Sequence, residues 1–135
     1  RDGYYWDEGE IYPQFSRDFA SIVHLGSTIT YIMIQLAYHL GCDPVYIVGL
    51  DHSYGVLSEL FPPGKILITK DNYDLVRKCH VDPDYYKIGD VIGVPWVAKQ
   101  ELGFAKALSV FESEGRRLIN ASASTALKIL PRLYI

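Results

Sequence analysis

The strongest hydrophobic pattern along the chain begins after Gly26. Ser27 or Thr28 can cap the start of a helix there, and Gly41 is placed for the left-handed residue that often follows a helix. Apolar residues spaced three and four apart predict a helix that ends near residue 40. Its expected buried face consists of Ile29, Ile32, Met33, Leu36, Ala37 and Leu40.

A continuous apolar run over residues 45–50 follows this helix, after the turn Asp43-Pro44. A run without polar alternation is typical of a strand that is covered on both faces of a parallel sheet. Residues 19–25 are also apolar and form an earlier strand candidate. The two strands and the helix between them would make a right-handed βαβ unit.

Helical spacing returns over residues 97–114, and Gly115 ends it. Residues 116–120 then predict another short parallel strand. The connection over residues 56–96 is expected to be mostly irregular, with a short strand over residues 66–69 and a short helix over residues 72–78; such a long connection is usually a binding loop or lid. The expected inward face of the second long helix consists of Ala98, Leu102, Ala105, Leu108 and Phe111, with Val97, Glu101 and Glu112 outside.

These elements predict an α/β fold, a Rossmann-like parallel sheet flanked by helices, in a single domain over residues 1–135. A length of 135 residues suits one domain with a core of its own. Apolar residues make up 49% and charged residues 21%, as in globular proteins. The net charge of −3 gives no electrostatic reason to expect nucleic acid or an anionic membrane as partner.

Two further properties bear on where the protein works. No apolar run is long enough for a membrane span, because Gln35, Tyr38 and His39 interrupt the central helix. No cleavable signal is recognisable, so a cytoplasmic setting is expected.

Cys42 and Cys79 lack the spacing of a zinc site; we expect free thiols, with a disulfide between them as the alternative.

Polar residues collect where the predicted strands end and where the first helix starts. Ligands of open α/β sheets bind beyond the carboxyl ends of the strands. The small residues at the helix start offer backbone N–H groups and two hydroxyls, which favours an anion, although ordinary capping explains them as well. The candidate binding residues at these places are Gly26, Ser27, Thr28, Asp51, His52, Ser53, Tyr54 and Asn120.

The long connection carries a second group of candidates. His80 is a candidate general base, since histidine titrates near neutral pH. Asp82 and Asp84 flank a proline, and they either bind substrate or start a turn. Tyr85 is one of several loop tyrosines that can both stack on a ligand and hydrogen-bond it. The acidic residues and histidines have no defined metal-ligand spacing, so no metal is expected.

Several common catalytic motifs are missing from the chain. It contains no GxxxxGK[ST] sequence, which excludes ATP binding by a P-loop. Without a GxSxG sequence, a serine nucleophile has no support. No GxGxxG sequence opens the βαβ unit, so a dinucleotide is not expected.

Several segments together resemble a known family. STITYIMIQLAYHLGCDPVYIVGLDHSY is similar to the core of proteins related to motility accessory factors and of archaeal 6-hydroxymethylpterin pyrophosphokinase-like enzymes, which carry "QLAYYMGF"-like and "GVDHSY"-like segments. HVDPDYY resembles their "HFHPDYF", and AKALSVFESEGRRLINAS with LKILPR resembles their late helix and strand. The motifs occur in the same order from about Phe15 onward. More distantly, the same order resembles the bacterial sialyltransferases of glycosyltransferase family 42.

The second resemblance implies a Rossmann-like fold that binds a cytidine-monophosphate (CMP) sugar and transfers sialic acid to an acceptor hydroxyl, without a metal or other cofactor. It implies that residues 26–28 approach the nucleotide, that residues 51–54, Tyr85 and Asn120 line the donor site, and that His80 lies near the acceptor. The family's second histidine is Asp82 here, so the base is His80, Asp82 or neither. The glycine-proline-serine-leucine nucleotide loop and the first strand and helix of the family are absent, so a fragment or a shortened relative is expected.

Two other functions stay open. The first is pyrophosphoryl transfer to a pterin alcohol, with tyrosines stacking on the pterin and magnesium held by Asp51 or Asp82. The second is a non-catalytic remnant of the family that forms homo-oligomers. The sialyltransferase-like enzyme is the leading hypothesis, with small molecules or glycans as its partners.

Overall fold

The computed structural model describes residues 11–80 and 82–133, and the chain divides into two compact units. The first unit comprises the described residues up to His52 and those from Val97 onward; the second comprises Ser53–Trp96. The elements, in chain order, are α1 (Ile29–His39), β1 (Val45–Ile47), α2 (Gly55–Leu60), β2 (Gly64–Leu67), α3 (Tyr73–Val76), a 3₁₀ turn (Arg77–Cys79), β3 (Val91–Val94), α4 (Val97–Ser113) and β4 (Leu118–Asn120).

In the first unit, β1 and β4 form a two-stranded parallel sheet. Val45 lies opposite Leu118 and Ile47 opposite Asn120. The Ala121 N–H extends the pairing by donating to the Ile47 carbonyl at 2.8 Å. The prediction that these two strands are parallel is confirmed, and their carboxyl ends therefore meet at one edge of the sheet. The structure thus has mixed helix and strand content with a small parallel sheet.

Helix α1 begins and ends at the predicted signals. Thr28 has extended backbone angles, and its hydroxyl accepts a hydrogen bond from the Thr30 N–H. Gly41 follows the C-cap with a φ of 79°, in the left-handed region that glycine adopts without strain. Of the two predicted capping residues, Thr28 is therefore the cap.

The buried face of α1 is not the predicted one. Met33 is 61% exposed, and Ile29 and Leu40 are 68% exposed. The helix instead turns Tyr31 and Tyr38 inward, together with Ile34 and Gln35. Aromatic rings bury more area than aliphatic side chains, so an aromatic cluster decides which face lies inside. The core consists of Tyr31, Ile34, Tyr38, Phe104, Ala107, Val110, Phe111, Leu118, Leu127 and Leu130.

The buried face of α4 also differs from the predicted one. Leu102, predicted to face inward, is 55% exposed, whereas Phe104 is wholly buried and Phe111 is buried as predicted. Gly103 allows close approach of the helices, because a Cβ atom there would lie 3.3 Å from the Tyr31 ring. The inward face of α4 consists of Gln100, Gly103, Phe104, Ala107, Val110 and Phe111.

Residues 19–25 do not form a strand, so the predicted βαβ unit is wrong at its first element. The buried Gln35 side chain supplies hydrogen bonds that a neighbouring strand would otherwise make. Its Oε1 accepts from the backbone N–H groups of Ser16 at 3.0 Å and His24 at 3.1 Å. Its Nε2 donates to the His24 carbonyl at 2.7 Å. One side chain on α1 therefore fixes the segment that leads into Gly26.

In the second unit, β2 and β3 form an antiparallel pair in which Ile66 lies opposite Ile92. The predicted strand near residues 66–69 is confirmed with a shift toward its start, and the predicted helix near residues 72–78 corresponds to α3 and the 3₁₀ turn. The α2 helix and β3 were not predicted. Cys42 and Cys79 are free, as expected. Among the described residues, no helix has the length and apolar character needed to cross a membrane.

Candidate functional site

A buried hydrogen-bond network ties together the segments that follow β1 and β4. The Ser122 hydroxyl accepts a hydrogen bond from the Leu50 N–H at 2.9 Å. The Ser122 N–H donates to Asn120 Oδ1 at 3.1 Å, and Arg132 Nη2 donates to the Ser122 carbonyl at 2.7 Å. Asn120 is wholly buried, and its Nδ2 donates to the Thr125 hydroxyl at 3.3 Å. In this conformation Asn120 therefore stabilises the strand edge through buried hydrogen bonds, and its side chain is not accessible to a ligand.

Asp51 is the exposed acid at this edge of the sheet. Its backbone carbonyl accepts a hydrogen bond from the Ala126 N–H at 2.8 Å, so the main chain is held on both sides of the edge. Because the residue is exposed, its carboxylate can accept hydrogen bonds from hydroxyl or amino groups of a ligand. The prediction of polar groups beyond the carboxyl end of β1 is met most directly by this residue.

His52 is buried next to Asp51, in a backbone conformation that is uncommon for residues other than glycine. Its φ is 52°, in the left-handed region. The Nε2 atom lies 3.2 Å from Glu101 Oε1, and the ring packs edge-on against Phe104 with centroids 5.9 Å apart. The imidazole is nearly inaccessible, whereas the Glu101 side chain is 41% exposed. Contact with a ligand at this position would therefore pass through Glu101.

The Gly26-Ser27-Thr28 turn shows a similar conformation at the start of α1. Ser27 has a φ of 64°, and its carbonyl accepts a hydrogen bond from Gln100 Nε2 at 3.1 Å. Gly26 has a φ of 61°, and a Cβ atom there would lie 2.2 Å from the Tyr31 ring, so only glycine fits. Glycine is therefore required at position 26, whereas Ser27 adopts a left-handed conformation that serine seldom takes.

These two turns meet the same end of α4 through consecutive residues. Gln100 holds Ser27, and Glu101 contacts His52. Within the described ranges, Ser27 and His52 are also the non-glycine residues whose φ is positive. Such backbone costs roughly 1–3 kcal/mol per residue and clusters at active sites and ligand-binding sites. The start of α1 and the segment that follows β1 therefore meet at the same end of α4. We call this place the α4 corner; it comprises residues 26–28, Asp51, His52, Gln100 and Glu101.

The sequence reasoning missed both residues of α4 that hold this corner. Helical spacing predicts Glu101 on the outer side of the helix and assigns no role to Gln100. The rotation of α4 relative to the predicted face brings Gln100 into the buried surface and Glu101 to its edge. Gln100 is the fourth residue of α4, and no local motif in the sequence marks it.

The second unit holds the remaining predicted residues. The rings of His80 and Tyr85 stack with centroids 3.9 Å apart and planes 10° apart, and the Tyr86 ring packs edge-on against both. Burial raises the pKa of the Tyr86 hydroxyl. Ser53 and Tyr54, predicted to continue the donor site after His52, belong to this unit, with Ser53 exposed and Tyr54 half-buried.

The hydrogen bonds of His80 bear on its chemistry. Its Nδ1 accepts from the Asp82 N–H at 3.0 Å, so a neutral ring carries its proton on Nε2. The Asp82 Oδ1 accepts from the Asp84 N–H at 2.9 Å, as in an aspartate-led turn. In this conformation His80 can donate a hydrogen bond from Nε2. The exposed Asp82 carboxylate accepts one hydrogen bond and can still accept a proton.

The part of the chain that the structure describes contains no group of three or more histidine, cysteine, aspartate or glutamate side chains placed to hold a metal ion. Comparison with protein-family models, with curated proteins and with solved structures finds no match. The family relationship therefore remains an expectation from the motifs.

Proposed function

We propose that the chain is a sialyltransferase-like glycosyltransferase domain with a Rossmann-like fold, and that the α4 corner binds the CMP part of an activated sugar. The observation that carries the proposal is the pair of left-handed residues, Ser27 and His52, held by consecutive residues of α4. The resemblance to glycosyltransferase family 42 implies that residues 26–28 approach the nucleotide and that residues 51–54 line the donor site. Ser27 and His52, the two left-handed residues, lie in these two segments, which supports the proposal.

The charges of the corner suggest how CMP is oriented. The start of α1 favours the phosphate, because the positive end of the helix dipole lies there. The exposed Asp51 carboxylate would repel a phosphate, but it can accept hydrogen bonds from the cytosine amino group or from ribose hydroxyls. We therefore assign the phosphate to the turn at Ser27 and the nucleoside to Asp51.

Transfer requires a base for the acceptor. The acceptor oxygen forms the new bond to the sugar carbon, the bond from that carbon to the CMP phosphate oxygen breaks with its electron pair leaving on CMP, and the base takes the hydroxyl proton. Of the two candidates that the resemblance implies for this base, the neutral His80 has its Nδ1 lone pair occupied by the Asp82 N–H, whereas the Asp82 carboxylate can take a proton.

Isothermal titration calorimetry with CMP and with uridine monophosphate tests the donor site. We expect saturable CMP binding and a preference for CMP, because uracil has a carbonyl where cytosine has the amino group. Asp51→Ala should weaken CMP binding about tenfold or more, the usual cost of a hydrogen bond to a charged group, and should remove the preference. Ser109→Ala, at an exposed serine of α4, is the matched control and should leave binding unchanged.

Absence of heat with every cytidine nucleotide would overturn the donor assignment. Binding of ATP that depends on magnesium, together with quenching of pterin fluorescence, would replace it with the pyrophosphokinase function. Equal binding by Asp51→Ala and Ser109→Ala would show that CMP is bound elsewhere on the chain.

One observation favours a second candidate, a non-catalytic module that forms homo-oligomers. Large apolar side chains of α1 and of the segment around β1 are exposed. Among them are Met33, Tyr46 on the strand, which is 50% exposed, and Val48 directly after the strand, which is 72% exposed. A parallel strand is usually covered on both faces, so an exposed apolar face can be covered by a second copy of the chain. Light scattering distinguishes the candidates, since a dimer that Val48→Lys dissociates and that binds no nucleotide would favour the module.

A further inference from the structure

A cleft in the second unit combines basic side chains that the donor site does not use. It has a volume of about 560 Å³ and is lined by Asp74, Arg77, Lys78, His80 and Pro83. This volume lies within the range of about 300–1,000 Å³ that is common for small-molecule sites. An arginine, a lysine and a histidine line it, together with a single carboxylate.

The two cations are available to a ligand. Among the described residues, no ion pair involves Arg77 or Lys78. The Arg77 guanidinium lies over the Tyr73 ring, 5.6 Å from its centroid, which holds the group in place without neutralising it. Both side chains follow α3 in the 3₁₀ turn, so consecutive residues bring two positive charges to one cleft.

The orientation of the third group, the His80 imidazole, is fixed by its neighbours. Stacking on Tyr85 sets the plane of the His80 ring, and the Asp82 N–H occupies Nδ1. The remaining ring nitrogen, Nε2, is therefore a donor in both protonation states of the imidazole. A guanidinium, an ammonium and an imidazole N–H together offer more hydrogen-bond donors than the two oxygens of a carboxylate ligand could accept. A phosphate, which has more oxygens, suits this set of donors better.

We propose that this cleft is a phosphate site, and that it takes the phosphate group of a phosphorylated small molecule through Arg77, Lys78 and His80. The proposal does not depend on the donor site in the first unit. The size of the cleft leaves room for the rest of such a molecule beyond its phosphate.

Binding of inorganic phosphate to the full chain, followed by amide resonances in ¹⁵N-labelled protein at constant ionic strength, tests this assignment. We expect saturable shifts of the amides of residues 77–80 and of Asp82, whose N–H contacts the His80 ring. Arg77→Met and Lys78→Met, which keep most of the apolar stem, should each weaken binding about tenfold or more. Lys65→Met, at an exposed lysine of β2, is the matched control.

Two further measurements distinguish a specific phosphate site from a general attraction of anions. Asp74→Asn should tighten phosphate binding, since it removes the carboxylate from the lining. Acetate should bind more weakly than phosphate, because it has one charge and two oxygens. Equal effects of Arg77→Met and Lys65→Met, unchanged binding in Asp74→Asn, or acetate binding as tight as phosphate would each overturn the proposal. A failure of CMP to bind the first unit would leave these outcomes unaffected.

Discussion

Replacing Gln35 by methionine should destabilise the first unit strongly, because the amide is an internal partner for backbone that lacks a strand neighbour. The substitution keeps the length of the side chain and removes its polar atoms. The N–H groups of Ser16 and His24 would lose their acceptor, and the His24 carbonyl would lose a donor. Each buried polar group left without that bond costs about 1–3 kcal/mol.

The net effect is smaller than the sum of these losses, since the amide itself no longer has to be buried. We expect the free energy of unfolding of Gln35→Met to fall by about 2–5 kcal/mol, a large share of the roughly 5–15 kcal/mol of a typical domain. Urea unfolding followed by circular dichroism measures this difference.

The reverse exchange two residues earlier is the matched control. Met33 is 61% exposed on the same helix, so Met33→Gln should change the free energy of unfolding by no more than about 0.5 kcal/mol. Equal unfolding free energies for Gln35→Met and Met33→Gln would refute the reasoning, because they would mean that the amide does not hold the segment before Gly26.

Two other predictions concern single residues. Gly26→Ala should lower the melting temperature more than Gly41→Ala, because both have positive φ but only the first places a Cβ atom against a ring, at 2.2 Å from Tyr31; equal losses would show that the ring moves aside. Burial raises the pKa of the Cys79 thiol, whereas Cys42 is exposed. Because the thiolate is the reactive form, a thiol reagent at neutral pH should modify Cys42 first, and peptide mass mapping would show the reverse order if this is wrong.

The sequence was sufficient for the positions of the main elements of the first unit. Helix α1 has a capping threonine at its start and a glycine after its end, and these local signals act over a few residues. The runs at β1 and β4 predicted parallel neighbours, and their pairing places Asp51 and Ser122 at a common edge. This part of the site follows from a general property of parallel sheets.

The buried faces could not be read from the same pattern. Spacing counts Met33 and Leu40 as core residues, but the rings of Phe15, Tyr38 and Phe111 pack edge-on against one another and turn the helix the other way. This choice depends on contacts between distant parts of the chain, which spacing within one helix does not contain.

The contacts of the α4 corner escaped prediction for the same reason. Glu101 meets His52 across 49 positions of sequence, and Gln100 meets Ser27 across 73. Neither contact has a local motif. The left-handed backbone at Ser27 and His52 could not be predicted from the sequence either, because neither residue type requires it.

The most direct measurement for the proposed donor site is a titration of ¹⁵N-labelled protein with CMP, followed residue by residue. The account predicts that the largest amide shifts fall on Gly26, Ser27, Asp51 and His52, and that they saturate together. Shifts confined to the cleft at Arg77 and Lys78, or no shifts at all, would contradict it, since CMP would then bind through its phosphate alone or not bind.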